Sequence, residues 1–341
     1  MKKLRAGIVG CGNIFPMHAY SLRELETVDL VAVCDTKQDR ADTWSKKLNV
    51  DAYYDYETML KKAELDVIHI CTPHHVHREQ MELAMKYGLD IVSEKPATIK
   101  YEDYLALMEL QEKTGQQIAI SFQNRFNPAS LKMKEVIQSN DLGKVLAARA
   151  YLAWDRSDEY YGKSDWKGTW DKEGGGVLID QAIHTLDLMT WLIDQPVTDI
   201  NINMGRRGHS KIDVDDFVEG TITYGDNVMS SVHFVNHYVI DAPIELELAF
   251  ERGLMRLVGD VATIDYHNGQ TLVIERNPHD VFAIDGVKQY WGVGHKAFIA
   301  YCYDNFLAGT KIQKNTLEDV HRTHKLVFDM YKQGRANFQL K

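Results

Sequence analysis

Apolar residues in the first third of the chain fall in short unbroken runs separated by amphipathic stretches. Arg5–Val9, Asp29–Cys34, Asp66–Cys71, Leu89–Ser93 and Gln117–Phe122 read as buried strands. Helical spacing predicts helices from the glycine turn after Val9 to about Leu25, over Gln38–Leu48, from about His75 to Tyr87 with Gly88 as C-cap, and over Tyr101–Thr114 closed by Gly115. Strands alternating with helices predict a parallel, doubly wound sheet. Ligands of such sheets bind at the carboxyl ends of the strands. Those ends carry Gly10-Cys11-Gly12, Asp35, Thr72-Pro73-His74, Glu94-Lys95-Pro96 and Gln123-Asn124-Arg125.

After Gln123 the period changes. A helix is predicted over Pro128–Gln138, and period-two segments follow at Val145–Trp154, Thr198–Met204, Asp216–Tyr224, Asn227–His237, Ile244–Glu251 and Gly253–Val258. They read as antiparallel strands joined by turns such as Tyr224-Gly225-Asp226-Asn227. The chain ends in helical segments at Lys296–Leu307 and Leu317–Gln333. The expected architecture is α/β: a Rossmann domain over residues 1–122, then an α/β domain over 123–341 with a large, mostly antiparallel open sheet. The last helices are free to pack back on the first domain. One face of an open sheet needs a cover, which a second subunit could supply.

Composition narrows the class. A chain of 341 residues suits two domains, and a net charge of −10 argues against nucleic acid or an anionic membrane as partner. No apolar run approaches the ~20 residues that span a bilayer. The basic start Met1-Lys2-Lys3 leads into a glycine-punctuated strand rather than a signal-peptide core, so a cytoplasmic protein is expected. Cys11, Cys34, Cys71 and Cys302 lack metal-type spacing and read as buried reduced thiols.

Candidate chemistry sits at the strand ends. Gly10-Cys11-Gly12-Asn13-Ile14-Phe15 approximates G-x-G-x-x-G, with Phe15 where the third glycine belongs. The first two glycines permit close approach of backbone to a pyrophosphate, and the following helix N-terminus supplies N–H donors. Asp35 ends the second strand, where an acid would hydrogen-bond the adenosine ribose and repel a 2′-phosphate. NAD is therefore expected over NADP, with Lys37 or Arg40 able to relax the choice. An N-cap for the next helix is the competing role for Asp35. His74, His75 and His77 are expected to line the cofactor edge or the surface rather than bind metal. Lys95 is held extended by Pro96 where the nicotinamide half of a dinucleotide would end.

Gly174-Gly175-Gly176 opens a run that reads as helix to about Asp194. Asp180 and His184, four apart, then share one face, either as a proton-handling pair or as an ion pair on a solvated surface. Before it lies an aromatic stretch, Trp154, Asp155, Arg156, Tyr160, Tyr161, Asp165, Trp166, Lys167 and Trp170. Rings beside acids suit a sugar or cyclitol, whose C–H faces stack while its hydroxyls are hydrogen-bonded; a packed surface loop is the alternative.

Taken in order, Gly10-Cys11-Gly12-Asn13-Ile14 with His18, Asp35, Glu94-Lys95-Pro96, and Gly174-Gly175-Gly176-x-x-x-Asp180-x-x-x-His184 with Asp187 resemble the glucose–fructose oxidoreductase and inositol dehydrogenase family (Gfo/Idh/MocA). Thr72-Pro73-x-x-x-His77 and Gln123-Asn124-Arg125-Phe126-Asn127-Pro128 match its pattern too. The resemblance implies an NAD(P)-dependent oxidoreductase acting at a secondary carbon of a sugar or polyol, as a dimer or tetramer built through the second sheet. By that resemblance Lys95 and His184 form the catalytic pair, supported by Asp180. The cofactor would be held by Gly10, Gly12, Asn13, Ile14, Asp35, Thr72, His77, Glu94 and Lys95. The substrate would meet Arg125, Trp154, Trp166, Asp180 and His184, with no metal. Three rivals remain: a redox-neutral NAD-dependent glycosidase or lyase, a non-catalytic NAD sensor, and a metal-dependent polyol dehydrogenase using Asp180, His184 and a histidine from positions 74 to 77.

Overall fold

The protein is described as a computed structural model covering residues 3–275 and 294–340. Two compact units divide it: residues 3–126 with 294–320, and residues 127–275 with 321–340.

The first unit is a six-stranded parallel sheet. Its strands are β1 (Leu4–Val9), β2 (Val28–Cys34), β3 (Asp51–Tyr53), β4 (Val67–Ile70), β5 (Asp90–Ser93) and β6 (Ile118–Ile120), in the spatial order β3-β2-β1-β4-β5-β6. The order reverses between β1 and β4, which opens the crevice where doubly wound sheets bind their ligands. Helices α1 (Phe15–Arg23), α2 (Gln38–Leu48), α3 (Tyr56–Lys62), α4 (His77–Lys86) and α5 (Tyr101–Thr114) connect the strands. β3 and α3 escape the apolar-run reading because β3 is three residues long and nowhere fully buried. The late helix Gly294–Ala308 joins this unit, burying Phe298, Ile299, Cys302, Tyr303 and Phe306 in one core with Phe15, Ala19 and Leu22.

The second unit carries α6 (Pro128–Gln138), β7 (Val145–Ala153), α7 (Asp158–Gly162), α8 (Ile183–Ile193) and β8 (Val197–Arg206). Then come β9 (Phe217–Tyr224), β10 (Val228–Val235), β11 (Glu245–Phe250), β12 (Gly253–Val258), β13 (Val261–Tyr266), β14 (Thr271–Ile274) and β15 (Gln339–Leu340). Its nine strands run β14-β13-β12-β11-β7-β10-β9-β8-β15. Most neighbours are antiparallel, but β7 pairs with β10 in parallel, Ala150 opposite Val232. The sheet is thus mostly antiparallel, as expected, and the position of its parallel pair could not be read from the sequence because a period of two is common to both pairings. Parallel neighbours need a long crossover, and residues 154–227 provide it. β7 and α8 pack together, while β10 alternates buried Val228, Ser230, Val232 and Phe234 with exposed Met229, Ser231 and His233.

All four cysteines are buried free thiols. No described helix is long and apolar enough to cross a membrane.

Candidate active site

The glycine turn after β1 is built as the motif requires. Gly10 has φ +92°, and a Cβ there would sit 2.5 Å from the Cys71 carbonyl oxygen, so the close approach of β1 to the end of β4 demands glycine. Around Gly12 a Cβ would meet nothing within 4 Å, so that side of the turn is open. Asp35 ties the turn to β2: its Oδ2 accepts the Cys11 N–H at 2.9 Å and its Oδ1 the Lys37 N–H at 2.8 Å. The helix cap expected as its alternative role falls instead on Lys37, whose side chain makes no capping bond. Asn13 is exposed and Ile14 half-buried, and Ile14 holds the N-cap of α1 without a side-chain oxygen to satisfy the first N–H groups. Phe15 is fully buried against Trp44, ring centroids 4.8 Å apart, filling the helix–sheet gap that a third glycine would close. An uncapped helix N-terminus, an open glycine and an acid at the end of β2 form a donor and acceptor set that fits a dinucleotide.

His77 is fully buried, with Nδ1 2.8 Å from the Pro96 carbonyl oxygen and Nε2 2.8 Å from that of Thr72. It holds two strand ends together rather than facing outward, and burial pushes its pKa down against the pull of those carbonyls. Thr72 donates its hydroxyl to Gln80 at 2.6 Å. Arg125, expected at the substrate, is 4 % exposed and paired with Asp319 at 2.8 Å. A buried guanidinium needs a carboxylate, and the late segment of the chain supplies one.

Beneath Glu94-Lys95 runs a buried chain of polar groups. Tyr303 Oη lies 3.0 Å from His69 Nε2, His69 Nδ1 is 2.8 Å from His18 Nδ1, and His18 Nε2 is 3.0 Å from Glu94 Oε1. His295 Nε2 stands 3.8 Å from the same Glu94 oxygen. Burial alone would raise the Glu94 carboxyl. The His18 hydrogen bond and charge, with His295 and Lys95, outweigh it and hold Glu94 well below the usual carboxylate range. Burial pushes His69 far down and His295 down to about 4. His18, Glu94 and His295 have ligand atoms within 4.8 Å of one another, but the His18–Glu94 hydrogen bond already uses atoms an ion would need. Sequence reasoning passed over His69, Tyr303 and His295. The available signal was a histidine inside β4, where every residue is buried. Lys95 follows, half-buried, and its peptide bond to Pro96 is cis.

In the second unit the triple glycine packs without slack. A Cβ on Gly176 would lie 1.9 Å from the Asp215 carbonyl oxygen. The buried Asp215 carboxylate accepts the N–H groups of Gly176 and Leu178 at 2.8 and 2.9 Å. Residues Leu178–Ala182 then form a π-helical turn before α8 starts at Ile183. Asp180 therefore sits on a widened turn, not on the regular helix its spacing from His184 implied; single π turns recur at functional sites. His184, half-buried, follows in the first turn of α8. Asp187 is fully buried and accepts the Thr323 hydroxyl at 2.7 Å.

The aromatic stretch closes on Asp180. Asp180 Oδ2 accepts Lys167 Nζ at 2.5 Å, Gln181 Nε2 at 2.6 Å and the Tyr160 hydroxyl at 3.4 Å. Rings and cations alternate. The Arg156 guanidinium lies 4.8 Å from the Trp154 ring and 5.5 Å from Tyr160, and the Lys167 ammonium 5.2 Å from Tyr160 and 4.7 Å from Trp166. Arg156 also pairs with Asp241 at 2.7 Å, and Trp154 Nε1 donates to the Ala242 carbonyl. Trp154 and Trp166 are thus held in place by the cations beside them.

Fold and turn define a two-unit oxidoreductase with a dinucleotide-binding Rossmann sheet. Residues 4–122 match the oxidoreductase family with an NAD-binding Rossmann fold, and residues 130–256 match the GFO/IDH/MocA C-terminal domain. The chain belongs to the Gfo/Idh/MocA family of NAD-binding oxidoreductases. It is 27 % identical over 241 residues to D-glucoside 3-dehydrogenase of Escherichia coli (strain K12), covering 68 % of this chain and 67 % of that protein. It is also 27 % identical over 227 residues to the NAD(+)-dependent scyllo-inositol 2-dehydrogenase of Bacillus subtilis (strain 168), covering 66 % and 61 %. Its fold matches levoglucosan dehydrogenase solved with NADH and levoglucosan, at TM-score 0.86 and 17 % identity over 99 % of this chain and 98 % of that one.

Proposed function

We propose that the protein transfers a hydride between NAD and a secondary carbinol of a cyclic polyol or sugar: an inositol, a pyranose or a glycoside. The observation that carries the substrate class is the seating of Asp180 among Tyr160, Trp166 and Lys167, a carboxylate acceptor for hydroxyls beside rings that stack on C–H faces. The relatives that act on glucosides and inositols support it.

Gly10, Gly12, Asn13 and Ile14 would cradle the pyrophosphate, Asp35 the adenosine ribose, and Thr72, His77 and Glu94 would shape the strand ends beside it. Bound nicotinamide supplies the hydride acceptor. Lys95 hydrogen-bonds the reacting oxygen and stabilises developing alkoxide charge, and His184 takes the hydroxyl proton. Asp180 supports His184 from the preceding turn.

We also propose a homo-oligomer built on the open face of the second sheet. That face carries exposed Met229, Val258 and Val273 beside the ion-pair ladder Arg149–Glu247–Arg256–Asp265, a mixture suited to a second copy. Four buried free thiols accord with a reducing compartment such as the cytoplasm.

The test is NADH formation by purified protein with NAD and a panel of inositol isomers, aldoses and simple glycosides. NADH with one ring class supports the reading. Aglycone released without net NADH would replace it with redox-neutral chemistry, and NAD binding without turnover on any ring would favour a sensor.

A further inference from the structure

Lys167 stands between two acids. Its Nζ is 2.5 Å from Asp180 Oδ2 and 3.5 Å from Glu173 Oε1, and the side chains of Lys167, Asp180 and Glu173 are 14, 11 and 0 % exposed. Neither acid has room to withdraw. Glu173 Oε2 accepts the Gly168 N–H at 2.5 Å and is followed by the packed glycine loop; Asp180 is held by Gln181 on the π turn. The rings of Tyr160 and Trp166 cover the ammonium.

Two carboxylates brought this close raise each other's affinity for a proton, and burial adds most to the acid further from water. A proton is therefore most easily held on the more deeply buried acid. That acid is Glu173. Around it stand Lys167 and the Gly168 N–H of its own loop, Tyr160 and Tyr161 of α7, Asp180 of the π turn and Tyr331 of the C-terminal helix.

We propose that Lys167 is a positioning residue for Asp180, and that Glu173 competes for its ammonium. While Glu173 is neutral, Lys167 serves Asp180 alone and fixes it as a carboxylate facing the site. When Glu173 loses its proton the ammonium is shared and Asp180 is held less firmly. Burial pushes the Glu173 carboxyl up to about 8 in spite of Lys167, with Asp180 adding to the rise. The geometry also makes Lys167 a poor anchor for a substrate anion, because its charge is already matched. The proposal rests on the reading that Asp180 serves the reaction.

Two measurements on the whole protein test it. Infrared difference spectra between about pH 6 and pH 9.5 follow the carbonyl stretch of a protonated carboxyl. The wild type should lose such a band with a midpoint near 8, Glu173→Gln should lack it, and Lys167→Met should move the midpoint upward because the cation that opposes protonation is gone. The second is kcat/KM against pH with the best sugar substrate. An alkaline fall at the same midpoint should vanish in Glu173→Gln. Lys167→Met should lose about tenfold or more at every pH, and Lys167→Arg should recover most of that loss. A wild type without the band, or a midpoint unmoved in Lys167→Met, overturns the shared proton. A normal pH–rate profile in Lys167→Met overturns the positioning role. If no sugar is oxidised by the wild type, the functional reading fails while the infrared result still decides the shared proton.

Discussion

His18 and His69 face each other nitrogen to nitrogen, Nδ1 to Nδ1, at 2.8 Å, so one ring donates and the other accepts. Because His18 Nε2 donates to the Glu94 carboxylate, the proton arrangement of the whole row is set by the Glu94 end. Tyr303→Phe removes only a hydroxyl and leaves His69 Nε2 buried without its partner. A cost of about 1–3 kcal/mol is expected in the denaturant midpoint, with a shift in the His69 ring nitrogen resonances. Unchanged resonances would show that His69 does not depend on Tyr303.

Lys95→Ala should lower turnover by ~10² or more while leaving NAD affinity within a few-fold of wild type. Calorimetric NAD titration beside single-turnover kinetics separates the two. A variant with near-normal turnover would remove Lys95 from the reaction.

Asp35→Ala should weaken NAD binding and also destabilise the first unit, since the Cys11 and Lys37 N–H groups lose their acceptor. The expected destabilisation is about 1–2 kcal/mol by denaturant unfolding. Asp35→Asn, which keeps an acceptor oxygen, should lose less. Loss of NAD affinity with no change in stability would mean that the two backbone bonds are dispensable.

Glu173→Gln should stabilise the protein increasingly as pH rises. The folded carboxyl is raised from 4.5 to about 8. Its favourable balance is therefore fully present below 4.5 and is lost as pH climbs to about 8, since the unfolded chain ionises freely and the folded one cannot. The melting-temperature gap between variant and wild type should widen from about pH 5 to about pH 8 and then level off. A constant gap would mean that Glu173 titrates alike in both states.

Local chemistry was legible in the sequence, and long-range chemistry was not. Gln38–Leu48, Tyr101–Thr114 and Pro128–Gln138 come out with the ends read from spacing and caps, because these signals lie within a few residues. The glycine turn and Asp35 were readable for the same reason. The π turn under Asp180 was not, since its extra residue leaves the apolar pattern nearly intact. Lys167 was visible only as one member of an aromatic stretch; its contact with Asp180 spans thirteen residues and depends on how the loop folds back. The His69–Tyr303 bond joins residues 234 apart, beyond any reading of local pattern.

The parallel pairing of β7 with β10 has a consequence for how the protein comes to work. The connection between these two strands contains Trp154, Lys167, Glu173, the π turn and His184. Parallel pairing makes that connection run back from one end of the strands to the other, so these candidate residues all ride on the crossover that joins the two central strands. The pairing joins residues far apart along the chain, so it is expected to form late in folding, after the local helices and hairpins.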